Sequence, residues 1–271
     1  MMNILAPLET GGYRPPGVED FRLSGGFIPG VDWFNKPLVQ AIIAAILVIL
    51  LWWLVARRLK VVPSKSQFLA ENAYDLVRNG IARDILGQDF RKYLPYLLAL
   101  FSFLLINNWF GIFAPFMYPT FSNIGYAYAF AVMSWFIYNG AGIAKHGLGG
   151  YLKNSLIPSG VPLWLTPIIV PIEFLSNFIV RPVTLALRLF ANLFAGHLVV
   201  LVFVVGGAWL LQNGATMNHA MAGPLGQVAG GVAYVFSFAI LALEILIGAL
   251  QAYVFTVLTA SYVQSATAEA H

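Results

Sequence analysis

Cysteine is absent from this chain of 271 residues, and charged residues are scarce. Without cysteine there is no disulfide, no thiolate nucleophile and no Cys-ligated metal. Asp, Glu, Lys and Arg make up 10% of the residues, against about 25% in soluble domains. Hydrophobic residues reach 59%, and the mean hydropathy is +0.78. The composition therefore excludes an ordinary soluble domain and predicts an integral membrane protein with several spans.

Several functional signatures are also missing from the sequence. There is no G-x-x-x-x-G-K-[ST] phosphate loop, so nucleotide chemistry is not expected in this chain. No cofactor or metal motif is found, and neither ligand is predicted. No internal repeat is evident, which argues against the inverted-repeat transporter folds. Residues 1–36 lack a basic segment followed by an apolar one, so no cleavable signal peptide is expected.

Long apolar stretches predict an all-α membrane protein with about five membrane helices. The stretches are 38–56, 93–116, 122–144, 163–211 and 228–263, within a helical membrane domain, 38–271, that follows an extracytoplasmic segment, 1–37. The last two are too long for one upright crossing, so they predict tilted or broken helices in an antiparallel hairpin at about 163–263. Pro167, Pro171 and Pro182 predict kinks in the first of them.

Residues 64–87 differ from these stretches, because apolar and charged residues there alternate at helical spacing. The apolar positions include Phe68 and Ile81, and the charged ones include Glu71 and Arg78. This pattern predicts a helix that lies on the cytoplasmic membrane surface. An amphipathic helix that packs on a partner subunit explains the pattern equally well.

Basic residues set the predicted orientation of the spans. Ten of the 15 Lys and Arg residues lie on one side, among them the cluster of Arg57, Arg58 and Lys60. Positive charge marks the cytoplasmic side, so the N-terminus is predicted outside and the C-terminus in the cytoplasm. Residues 147–162 then form a Gly- and Pro-broken cytoplasmic connection, and 212–227 form a polar loop outside.

Arg188 lies inside the first long apolar stretch, and its guanidinium cannot be neutralised at any working pH. An arginine at mid-bilayer costs roughly 2.5–3.5 kcal/mol on insertion scales, so charges there are rare and usually functional. Asn192 follows by four residues and shares the same helical face, whereas His197 lies about 180° around the helix. An internal ion pair with Glu173 or Glu244 is the structural alternative.

An antiparallel hairpin brings further polar residues together. If Arg188 pairs with Gln251, the same register pairs His197 with Glu244 nearer the outside and puts the turn near residue 220. A Glu/His pair can pass a proton near neutral pH, and an arginine can keep a carboxylate on another subunit ionised. A simple helix–helix contact remains the alternative for His197.

Other intramembrane groups have plainer interpretations. Asn107 and Asn108 are interpreted as helix–helix hydrogen-bonding groups rather than transport ligands. Glu173 follows Pro171, and it is either an acid on the proton path or a residue near the cytoplasmic surface without function.

Residues 181–197, read as Arg-Pro-Val-Thr-Leu-Ala-Leu-Arg-Leu-Phe-Ala-Asn-Leu-Phe-Ala-Gly-His, resemble a signature of the subunit a family of F-type ATP synthases. Residues 250–258 resemble the second signature of that family, and residues 79–84 resemble its cytoplasmic surface helix. The resemblance extends over most of the chain from about Leu38 onward.

The resemblance implies a proton-translocating stator subunit that carries no catalytic site for ATP. Arg188 would face the rotor ring of c subunits and prevent a short circuit between two offset half-channels. Asn192, His197, Glu244 and Gln251 would line the outer half-channel. Here the acid and the histidine occupy the opposite helices from some bacterial members, which retains the pair. Glu173 lies where the family often has an acid near the inner half-channel.

The resemblance also implies partners and a location. The partners are the ring of c subunits, the peripheral-stalk b subunits, the remainder of the ATP synthase complex, membrane lipid and protons, with no nucleic acid. The location is an energy-coupling membrane, the plasma membrane in a bacterium.

Two rival functions remain open. A self-contained secondary transporter would use Arg188 to bind an anionic substrate, and transport by the purified chain alone would favour it. A non-transporting scaffold would hold its charges as internal pairs, and retained function after removal of Arg188 and its acid partner would favour that.

Overall fold

The computed structural model describes residues 15–17, 34–57, 59–113, 118–157, 165–213 and 224–268, and all regular structure in them is helical. The α-helices are α1 (Lys36–Arg57), α2 (Lys65–Val77), α3 (Asp84–Leu86), α4 (Phe90–Phe110), α5 (Ile124–Leu156), α6 (Thr166–Phe174), α7 (Arg181–Asn213) and α8 (Pro224–Thr267). π-Helical turns at Arg78–Arg83 and Leu175–Val180 join α2 to α3 and α6 to α7. The predicted all-α class is confirmed.

Four helical runs among the described residues are long and apolar enough to cross a membrane. They are Lys36–Arg57, Lys65–Phe110, Thr166–Gln212 and Leu225–Thr267. They contain the first and fifth predicted spans and most of the second and fourth, so the chain is a multi-pass membrane protein. The predicted third span forms α5 but falls outside these four runs.

The predicted surface helix begins at an N-cap. The Ser64 hydroxyl accepts a hydrogen bond from the Gln67 backbone N–H, which satisfies one donor of the first turn of α2. Along this segment Val77 and Ile81 are buried, whereas Phe68 is exposed. An apolar surface therefore remains open to a membrane or to a partner, and both interpretations of residues 64–87 stand.

The predicted glycine break of the connection at 147–162 occurs at Gly147, but most of its first half is helical, because α5 continues beyond this kink to Leu156. Its cytoplasmic location stays a prediction. Gly147 has φ 70° and ψ 165°, a conformation that favours glycine. After this kink Tyr151 is 4% exposed and donates a hydrogen bond to Asn139 Oδ1 at 2.6 Å. The chain thus folds back at Gly147, and we call residues 148–157 the folded-back segment.

The predicted kinks of the long apolar stretch take the form of the π-helical turn Leu175–Val180, which lies between Pro171 and Pro182. A proline has no N–H for the helical ladder, and its ring pushes the preceding turn apart. In π-helical spacing the missing N–H of Pro182 leaves the Asn177 carbonyl without a backbone donor. The Tyr138 hydroxyl donates to that carbonyl at 3.3 Å instead.

The chain divides into two compact units. The first contains the chain up to Ala41, Asn107–Asn123 and Ala191–Ala249, and the second contains Ile42–Ile106, Ile124–Phe190 and Leu250–His271. Tyr118 and Leu201 form a buried cluster in the first unit, and Tyr138, Ala141 and Val263 form one in the second. The predicted boundary at residue 37 remains a prediction, and most of 1–37 lies outside the described residues, as do 214–223 of the predicted outer loop.

Candidate functional site

In the first unit, α7 and α8 pack as an antiparallel pair in the predicted register. A Cβ added to Gly207 would lie 3.0 Å from the Tyr234 nitrogen and 3.1 Å from the Gly230 oxygen, so the two backbones nearly touch. The rings of Phe203 and Phe236 lie one turn away, with centroids 5.3 Å apart. The glycines permit this close approach, and the pairing fixes which side chains share a depth.

Further along the same pair, a cavity of about 240 Å³ separates the helices. Its lining includes Asn192, Gly196 and His197 from α7 and Glu244 from α8. His197 is only 7% exposed and Glu244 is half-buried. A Cβ at Gly196 would lie 2.7 Å from Glu244 Oε1, so the glycine leaves room for the carboxylate. Polar groups in a cavity of this size can hold water.

The end of α4 closes one wall of this cavity. Asn108 lines it and donates from Nδ2 to the Gly248 carbonyl at 2.8 Å. Trp109 donates from Nε1 to the Ile245 carbonyl at 3.1 Å. Asn108 is thus a helix–helix hydrogen-bonding group, as interpreted from the sequence. Its place on the cavity wall beside Glu244 was not foreseen.

Arg188 belongs to the second unit and is exposed on α7, one turn before Asn192. As far as the second unit is described, Lys145 and Asp89 form an ion pair at 3.6 Å, and Arg188 forms none with Glu173. In the same unit Gln251 is 4% exposed, and its Nε2 has no hydrogen-bond partner among the described residues. The guanidinium therefore remains open to an anion outside the second unit.

Residues 38–264 match the family described as ATP synthase A chain. The chain belongs to this family. A protein named ATP synthase subunit a from Nocardioides sp. is 43% identical to it, over 99% of this chain and 98% of that protein. Proteins of the same name from Pseudarthrobacter chlorophenolicus and Streptomyces lividans are 41% and 34% identical, over 95% and 96% of this chain and 94% and 90% of their own lengths.

Three of the six site residues predicted for a member of the ATP synthase A chain family line one cavity, namely Asn192, His197 and Glu244. Arg188, Gln251 and Glu173 belong to the second unit. No group of three or more His, Asp or Glu side chains that could hold a metal is found in the part of the chain that the structure describes.

The sixth residue, Glu173, is half-buried on α6 and accepts a hydrogen bond from Asn177 Nδ2 at 3.1 Å. Asn177 Nδ2 also donates to the Ser155 carbonyl at 2.8 Å. Sequence reasoning missed Asn177. The available signal was the spacing of four residues from Glu173 to Asn177, which puts an acid and an amide on one helical face.

A group of aromatic and basic side chains lies near Asn177 in the second unit. The Arg181 guanidinium is 5.0 Å from the centroid of Tyr262, and the rings of Tyr138 and Tyr262 are 5.5 Å apart. On the folded-back segment, burial raises the pKa of Tyr151, while a hydrogen bond with Ser155 and the charge of Arg181 oppose that change. The neutral phenol is thereby retained as a donor to Asn139.

Proposed function

We propose that this chain is the proton-conducting stator subunit of an F-type ATP synthase in a bacterial plasma membrane. Its partners are the rotor ring of c subunits, the peripheral-stalk b subunits and the remainder of the complex. The N-terminus lies outside and the C-terminus in the cytoplasm. The subunits that carry nucleotide sites perform the ATP chemistry, and this chain needs no cofactor for its part.

One observation carries the proposal. Asn192, His197 and Glu244 share a cavity between two apolar helices, and Asn192 lies one turn from the exposed Arg188. A histidine and a carboxylate that line a cavity with room for water can accept and release protons near neutral pH. In a membrane protein such ionisable groups mark an ion pathway.

In the proposed mechanism, protons enter from outside through the cavity at His197 and Glu244. They pass Asn192 and Gln251 and neutralise a carboxylate on the ring. After almost a full turn of the ring, the proton leaves to cytoplasmic water past Glu173. Arg188 attracts and ionises the returning carboxylate, and as a permanent cation it blocks proton flow between the two half-channels.

A cross-link tests this proposal, and the absence of native cysteine gives a clean background. Asn192→Cys is combined with a cysteine beside the essential carboxylate of the c subunit. We expect an efficient disulfide that stops ATP-driven rotation and proton pumping until it is reduced. Ala186→Cys is the matched control, because Ala186 is fully buried in the same helix.

Absence of a cross-link from Asn192 and its neighbours on that face, in an assembled complex, would contradict the stator proposal. Transport by the purified chain without a ring would then favour the secondary transporter. Against the alternative in which Glu173 neutralises Arg188 stands the absence of an ion pair between these two described residues, while Glu173 accepts a hydrogen bond from Asn177.

A further inference from the structure

We propose that Asn177 is a positioning residue for Glu173, because its carboxamide ties the Glu173 carboxylate to the main chain of the folded-back segment at Ser155. The inference deepens the proposed function and rests on the assignment of Glu173 to the cytoplasmic side of the proton path. Asn177 does not carry the proton itself.

The first support is the double use of one amide group. Asn177 Nδ2 donates to Glu173 Oε2 at 3.1 Å and to the Ser155 carbonyl at 2.8 Å. An amide nitrogen has two N–H groups, so both bonds can form at once. The geometry fixes the carboxylate relative to Ser155, which lies 18 residues earlier in the chain, rather than relative to its own helix alone.

The second support is that the backbone carbonyl of Asn177 also has a hydrogen-bond partner from another helix. Pro182 cannot donate to the Asn177 carbonyl in the π-helical turn, and the Tyr138 hydroxyl does so instead at 3.3 Å. Asn177 is 8% exposed. Its side chain therefore cannot turn away without losing two hydrogen bonds in a buried place, which is costly.

The third support is that the folded-back segment is itself anchored. Tyr151 donates to Asn139 Oδ1 at 2.6 Å, and Asn139 Nδ2 donates to the Trp135 carbonyl at 2.7 Å. A Cβ at Gly142 would collide with the Tyr151 ring. The Ser155 carbonyl is consequently part of a fixed structure, and it can serve as a reference point for Asn177.

The remaining atom of the amide has a chemical consequence. Asn177 Oδ1 is buried and has no hydrogen-bond partner among the described residues. A buried acceptor without a partner is costly, and a water molecule is the usual donor in such a place. The amide thus offers an acceptor for water beside the carboxylate that Nδ2 holds. The charged and titratable groups around this place are Arg181, Tyr138, Tyr151 and Tyr262.

The test uses the whole ATP synthase in proteoliposomes with the nucleotide-binding subunits outward, so that the external medium contacts the cytoplasmic side. ATP-driven proton uptake is measured per assembled complex, and external and initial internal pH are varied separately. Asn177→Leu removes the donor and keeps the approximate volume. Asn177→Asp keeps the shape and replaces the donor by an acceptor, so it separates the hydrogen bond from packing.

We expect Asn177→Leu to lower the maximal rate severalfold and to shift the midpoint for external pH away from the wild-type value, because the Glu173 carboxylate loses the N–H group that holds it at Ser155. Asn177→Asp should shift the midpoint further, because a second carboxylate then replaces the donor. The dependence on internal pH stays as in the wild type.

Two comparisons make the result decisive. Ser102→Ala removes a buried polar group of the second unit that accepts from Trp52 Nε1 at 3.0 Å and belongs to a different hydrogen bond, and it should leave the external midpoint unchanged. Glu173→Gln with Asn177→Leu should match Glu173→Gln alone. Wild-type midpoints in both Asn177 variants, or an equal shift in Ser102→Ala, would overturn the inference.

Arg188→Ala separates failure of this inference from failure of the proposed function. If Arg188→Ala stops coupled pumping while both Asn177 variants keep the wild-type midpoint, only the role of Asn177 is wrong. If Arg188→Ala pumps as the wild type does, the stator mechanism itself is wrong.

Discussion

Two groups of polar side chains, one in each compact unit, differ in their surroundings. In the first unit His197, Glu244 and Asn192 line a cavity of about 240 Å³. In the second unit the polar groups around Asn177 bond directly to one another and to main-chain carbonyls. A cavity leaves room for water and for proton movement, whereas direct bonds fix geometry. The first arrangement suits transfer, and the second suits positioning.

The largest expected effect comes from removal of the acid in the cavity. Glu244→Gln should lower proton pumping by about tenfold, less than the usual 10²–10⁴ for a positioned acid or base, because His197 remains beside a cavity that has room for water. The exchange His197→Glu with Glu244→His should recover a large part of the loss, because both groups still face one cavity. ATP-driven pumping in membrane vesicles measures both variants. A double variant no better than Glu244→Gln would show that the pair does not act as one unit.

A smaller effect is expected when the cavity is narrowed. In Gly196→Ala the new methyl group would lie only 2.7 Å from Glu244 Oε1. That distance is too short for a normal contact, so the flexible carboxylate must move. Pumping should fall severalfold, while the amount of assembled complex stays the same. Gly231→Ala is the control in the same helix pair, since its nearest neighbour is Leu211 Cδ2 at 4.0 Å. An equal loss of pumping in both variants would argue against a role for the cavity.

The smallest effect on proton pumping is expected from a glycine substitution in the second unit. This substitution should instead lower the stability of the complex. In Gly142→Ala a Cβ meets the Tyr151 ring and lies 2.9 Å from the Ala266 carbonyl oxygen. Overpacking against rigid neighbours costs about 1–3 kcal/mol. The melting temperature of the purified complex should fall, and the pumping rate per assembled complex should change little. Gly140→Ala has open space and should be neutral or slightly stabilising.

Much of the fold can be predicted from the sequence, because the length of an apolar stretch and the positions of the basic residues beside it are strong signals in a membrane protein. The register of α7 on α8 came from one assumption, that polar residues at equal depth pair. Helical geometry alone predicted that Arg188 and His197 lie on opposite faces of their helix. In the structure Arg188 is exposed and His197 is buried.

Other features depend on contacts that one sequence does not reveal. Gly147 stands among several glycines, and only its positive φ identifies it as the point where α5 folds back. Pro182 predicted a kink, but the donor to the carbonyl that it leaves free is Tyr138, 39 residues before Asn177. An asparagine in an apolar stretch, such as Asn177, commonly forms a hydrogen bond to a neighbouring helix, but the sequence does not identify the partner. The bond to Ser155 could therefore not be predicted.

The contact between Gly207 and Gly230 has a mechanical consequence. The backbones of α7 and α8 nearly touch there, while a carboxylate occupies the gap at Gly196. Gly196 lies about 16 Å along α7 from Gly207, at 1.5 Å per residue. The spacing of α7 and α8 beside the cavity therefore depends in part on two residues that have no side chain, so a methyl group added at Gly207 or Gly230 would push the helices apart without changing any ionisable group.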